Sequence, residues 1–183
     1  MVPDFGVLIA PGKTYRQLVT DQATRGWAAV VQRCAAAVLV LATVISLVTS
    51  TATVQTVASA ASYWVIAPLI QLGLALVLVI TAPKRQVSTA RGVELMWVGH
   101  LPWTLWLLAV AILLTVHAGI TLVMAATALV ASAWRGVIVC ALCREALGSS
   151  PRSAVIRAVL HQVAVLGIIA VYACWAVALE ARF

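Results

Sequence analysis

Leu74-Ala75-Leu76-Val77-Leu78-Val79-Ile80 is the stretch that decides the fold. None of its residues is polar, so no face of a helix or strand built from it is suited to water. A transmembrane β-strand alternates apolar and polar positions over about 10 residues. This stretch does not alternate, and neither does Leu107-Leu108-Ala109-Val110-Ala111-Ile112-Leu113-Leu114. What remains is an apolar helix in lipid, where the backbone must satisfy its own hydrogen bonds. The whole chain agrees: of 183 residues, 64% are hydrophobic and 9% charged. Soluble domains carry about 45–50% apolar and about 25% charged residues. A soluble globule of this size, a coiled coil, a disordered tail and a large-interface nucleic-acid binder are excluded on that ground.

The stretch lies inside a run of 50 residues, Cys34 to Pro83, that holds no charge. A span takes about 20 apolar residues, so the run holds two helices. The polar residues Ser50, Thr51, Thr53, Gln55, Thr56 and Ser59 mark the turn between them. Leu95 to Trp134 gives 40 further uncharged residues, two spans turning at His117-Ala118-Gly119. Ala158 to Leu179 gives 22 more and one last span. The expected fold is all-α: a polytopic integral membrane protein with five transmembrane helices. Their expected ranges are 33–53, 60–82, 94–116, 119–142 and 154–179. A cytoplasmic leader, 1–32, precedes the bundle, 33–183.

Basic residues set the orientation, because cytoplasmic loops carry the excess of Lys and Arg. Lys13, Arg16, Arg25, Arg33, Lys84, Arg85, Arg91, Arg135, Arg144, Arg152 and Arg157 fall on one side, and Arg182 alone on the other. The amino terminus is therefore expected inside and the carboxyl terminus outside. Trp27, Trp97 and Trp134 mark the inner interface; Tyr63, Trp64, Tyr172 and Trp175 mark the outer one. The net charge of +7 then reflects an inner face beside anionic lipid, not a nucleic-acid partner. The first residues carry Asp4 and only a short apolar run, so no cleavable signal peptide is expected. Residues 13–25 place Tyr15, Leu18, Val19 and Ala23 on one face, which predicts a short amphipathic helix on the inner surface after Pro11-Gly12. Gly148, Ser149, Ser150 and Pro151 are expected to stop span four and start span five.

Two features predict how the helices pack. Ala128, Ser132 and Gly136 form a small-residue stripe on span four that admits a close neighbour. Ala170, Cys174 and Ala178 repeat the spacing on span five. Pro68 and Pro102 free backbone carbonyls and should bend spans two and three. An antiparallel hairpin of spans three and four sets His100 at the depth of Arg135, and Glu94 near Cys140. Glu94, His100 and Arg135 are thus expected to form a polar layer near the inner face. Arg135 would either point inward, toward Glu94, the carbonyls freed by Pro102, a partner's acidic group or a lipid phosphate, or simply snorkel to the inner headgroups.

Several segments together resemble the Yip family of five-span membrane proteins. They are the leader Pro11-Gly12-Lys13-Thr14-Tyr15-Arg16-Gln17-Leu18, the motif Gly99-His100-Leu101-Pro102 and the loop Gly148-Ser149-Ser150-Pro151-Arg152-Ser153-Ala154. The resemblance implies a helical membrane scaffold or adaptor, not an enzyme. The Ala, Val and Arg content fits a bacterial inner membrane, where no Rab partner exists.

Few residues suggest chemistry. Cys140-Ala141-Leu142-Cys143 is a CxxC at the end of a span, where the helix dipole opposes a thiolate. No second CxxC completes a zinc site. Cys34 and Cys174 read as packing residues. His100 and His161 lie toward the inner half and are weak candidates to ligate a haem or a chlorophyll-type pigment; otherwise no cofactor and no metal is expected. No GxSxG, HExxH or paired carboxylates occur. No soluble substrate suggests itself, and the partners expected are the lipid bilayer and other integral membrane proteins. Two readings follow: a scaffold or adaptor, or an accessory structural subunit of an energy-converting, photosynthetic or transport complex.

Overall fold

A computed structural model describes residues 5–20, 26–49, 53–116 and 121–180, without the side chains of 48, 49, 114–116, 121–125, 169 and 172–180. Among the described residues the chain forms nine helices and no strand. They are α1 (Gly6–Ile9), α2 (Pro11–Thr20), α3 (Trp27–Thr49), α4 (Val54–Trp64), α5 (Ile66–Ile80), α6 (Thr89–Val98), α7 (Leu101–Val116), α8 (Thr121–Glu145) and α9 (Pro151–Glu180). The last seven make five rods, because α4 continues into α5 and α6 into α7. Four rods are long and apolar enough to cross a membrane: Trp27–Leu47, Val54–Ile80, Thr89–Leu113 and Ala126–Glu145. The fifth rod, α9, has 30 residues, roughly 45 Å at 1.5 Å each.

The two prolines break their helices as the sequence predicts. Pro68 sits in the first turn of α5 and Pro102 in the first turn of α7, where the missing N–H costs least. Each break falls just upstream, at Val65 and at Gly99-His100. Gly99 serves a second purpose. A Cβ there would stand 2.8 Å from the Tyr15 hydroxyl and 3.0 Å from Ile138, so the kink is also where α2 and α8 crowd the rod.

Most helix ends lie a few residues from the expected ranges, and the first two spans start earliest relative to them. α3 begins at Trp27, upstream of Arg33, because loss of apolar character ends a span but does not end a helix. Gln55, Thr56 and Ser59 are not in the turn but in α4. Thr53 caps that helix, and the Thr53 and Thr56 side chains each accept the other's backbone N–H. Ser50, Thr51 and the tip His117-Ala118-Gly119 lie outside the described residues.

The rods close into a ring. α3 packs on α4, α5, α6 and α7; α7 on α8; α8 on α9; and α9 on α5. The packing is uneven along the axis. One large core joins Val30, Val79, Val93, Leu95, Ile138, Leu142 and Leu147 in the half expected to face the cytoplasm. The opposite half holds a small cluster around Val44, Val110 and Ala111. α4 buries none of its side chains.

The leader joins the large core. Val7 and Tyr15 are fully buried and Leu18 nearly so. The Tyr15 hydroxyl donates to the Leu95 carbonyl at 3.2 Å, and Arg91 donates to the Leu18 carbonyl at 2.9 Å. The apolar face of α2 thus lies on the bundle rather than in lipid, because protein side chains already fill that site. Ala23 and Arg25 lie outside the described residues. The loop Cys143–Ser153 behaves as expected. Gly148 adopts φ 63°, and Ser149 donates back to the Cys143 carbonyl at 2.9 Å, closing α8 with a left-handed glycine. Pro151 then opens α9.

Candidate functional site

Arg135 lies on α8, ten residues from its carboxyl end, and only 1% of it is exposed. Ala133, Trp134 and Gly136 continue the helix through this position without a break. Rotation of α8 turns Arg135 into the ring. Its Nη2 donates to Gln71 Oε1 on α5 at 2.7 Å, and its Nη1 to Gln162 Oε1 on α9 at 3.1 Å. Gln162 in turn donates to the Ser132 carbonyl at 2.8 Å. His100, at the α6–α7 break, shares Gln71 Oε1 through Nε2 at 3.2 Å and stacks on Trp97. His161 is also buried, and its Nε2 has no partner among the described residues. The layer therefore gathers side chains from four rods, and Arg135 meets no carboxylate among the described residues.

The register argument holds for His100 and Arg135, which meet through a shared amide. It fails for Glu94. That carboxylate is 1% exposed but pairs at 2.7 Å with Arg91, three residues away on the same helix. Glu94 lies six residues before His100, roughly 9 Å nearer the start of α6, out of reach of Arg135. The expected polar layer is thus two levels, an Arg91–Glu94 level under α2 and a deeper Arg135 level. Gln71 and Gln162 were missed. The signal was there: each is a lone amide within an apolar run, a residue type that has to find a partner when buried.

Of the stripe Ala128, Ser132 and Gly136, the last two meet α9 at Gln162. A Cβ on Gly136 would meet Gln162 at 3.8 Å and 3.9 Å, an ordinary contact. The Gln162 side chain is the part of α9 that lies over Gly136. Ser132 bonds within its own helix, to the Ala128 carbonyl. The side chains of Cys174 and Ala178 lie outside the described residues. Cys34, Cys140 and Cys143 are free thiols, and no group of three metal-ligating side chains occurs among the described residues.

Basic side chains tie the rods elsewhere too. Arg157 on α9 donates to the Leu78 and Thr81 carbonyls and to the Thr81 hydroxyl. It thereby satisfies the end of α5, where a cation also meets the negative end of the helix dipole. Arg16 on α2 reaches Glu145 on α8 at 3.4 Å. Beside the Arg135 level a cavity of 200 Å³ opens, lined by Gln71, His100, Thr104 and three tryptophans. That is under the about 300–1,000 Å³ of pockets for drug-sized ligands. An axial bond from His100 Nε2 to a haem would have to displace its contact with Gln71.

Apolar rods of membrane length around a buried polar layer define an α-helical multi-pass membrane protein. No protein family, no curated protein and no solved structure matches the chain.

Proposed function

We propose that the protein is a non-enzymatic scaffold or adaptor of the inner membrane, of the Yip-like type, that packs against other integral membrane proteins. In this reading α9 is a fifth span, the amino terminus is cytoplasmic and the carboxyl terminus lies outside. The observation that carries it is the uneven core. The inner half is tied by buried side chains, whereas α4 buries none of its own. α4 also contains Ala58-Ser59-Ala60-Ala61-Ser62. Small side chains let another helix approach closely, and lipid gains little from them. The rigid inner half would hold α4 in place as a docking rod.

Native mass measurement of the protein extracted with its surrounding lipid tests this. The expected result is a complex with another membrane protein, lost in Ala58→Leu, on the exposed face of α4, while the unfolding temperature stays that of the parent. A lone chain, or a complex indifferent to Ala58→Leu, would rule out docking on α4. Stoichiometric foreign subunits that form one enzyme or transporter would recast the protein as an accessory subunit.

A further inference from the structure

The Arg135 layer leaves two polar groups unspent. Gln71 Oε1 accepts from Arg135 and from His100. A carbonyl oxygen only accepts, so His100 Nε2 carries the hydrogen and Nδ1 of the neutral ring is bare. Exchanging the amide O and N would set an NH₂ group against a guanidinium donor, so the amide has one orientation. Its Nε2 hydrogens then face away from Arg135. Among the described residues neither Gln71 Nε2 nor His100 Nδ1 has a hydrogen-bond partner. Both residues line the 200 Å³ cavity, which Trp64, Trp97, Trp103 and Thr104 also line. Both belong to rods of membrane length, so a ligand would reach them from the bilayer.

The cavity therefore offers one donor and one acceptor on an aromatic and aliphatic wall. The Arg135 bond draws electron density from the Gln71 carbonyl and sharpens its N–H donors. We infer that the cavity binds the head ring of a lipid-soluble quinone or its quinol. A quinone carbonyl accepts from Gln71 Nε2. A quinol hydroxyl donates to His100 Nδ1 as well. The flat ring fills the space among the tryptophans, which has room for a ring system but not for a macrocycle. A fatty-acid carboxylate fits less well, because it has no hydrogen to give to His100 Nδ1. This inference is independent of docking on α4.

The test uses the full chain in nanodiscs, titrated with a one-isoprene ubiquinone and followed by quenching of tryptophan fluorescence. Quenching should saturate at one quinone per chain. Ala67→Phe fills the same cavity and should weaken binding at least tenfold at an unchanged unfolding temperature. Should that variant unfold, Ala37→Leu, on another wall of the cavity, takes its place with the same expectation. His100→Phe keeps a ring but removes Nδ1, and should weaken the quinol more than the quinone. Quenching that never saturates, or that is equal in parent and filled variants, would mean partition into lipid and overturn the site. Displacement by laurate but not by methyl laurate would overturn the quinone assignment in favour of a carboxylate.

Discussion

Arg135 shows how a buried charge is held when no carboxylate is at hand. Two amide oxygens take its terminal nitrogens, and each amide is anchored elsewhere, Gln71 by His100 and Gln162 by the Ser132 carbonyl. Hydrogen bonds to a charged group contribute about 1.5–3 kcal/mol each. Arg135→Leu should lower unfolding stability in detergent by roughly 2–3 kcal/mol. Arg135→Lys should not rescue it, because one ammonium cannot serve two planar acceptors on different rods. Equal unfolding temperatures for parent and Arg135→Lys would refute the need for a forked donor. Gly148 is the other residue with no substitute. A side chain there would meet the Lys84 carbonyl as well as the positive φ. Gly148→Ala is expected to cost about 1–3 kcal/mol, read from the same unfolding measurement. The pairing of His100 with Arg135 was legible from register, since helix rise sets depth. Gln71 and Gln162 were not, because depth alone does not say which rods face each other.

At the level of elements, the breaks at Val65 and Gly99-His100 follow from Pro68 and Pro102. The docking of α2 does not follow from its amphipathic pattern. Such a helix buries its apolar face in lipid or in protein at similar gain. The choice depends on whether the bundle offers a matching hollow, here floored by Leu95 and Leu142. Leu18→Asp would put a carboxylate into that hollow and should release α2. Trypsin should then cut at Lys13 and Arg16 much faster than in the parent, with the bundle left intact. An unchanged digestion rate would place α2 on the membrane surface after all.

The whole molecule is expected to sit with its basic loops inside. In a background lacking the native cysteines, Ser88→Cys should react with an impermeant thiol reagent only from the cytoplasmic side, and Thr53→Cys only from outside. The reverse labelling would overturn both the orientation and the Yip resemblance. The amino-acid sequence alone determined the class, because uncharged runs of 50 and 40 residues admit nothing but helices in lipid. It also determined the kinks, the turn at Gly148 and the depth of each polar group, all consequences of local chemistry and a constant helix rise. The tertiary structure alone decided which polar groups meet. It separated Glu94 from Arg135, joined Arg135 to two unforeseen glutamines, and left a cavity beside them. The reason is rotational. The apolar rods carry little amphipathic signal, since lipid and protein neighbours favour similar side chains. Only the closed ring of five rods settles which face of each one turns inward.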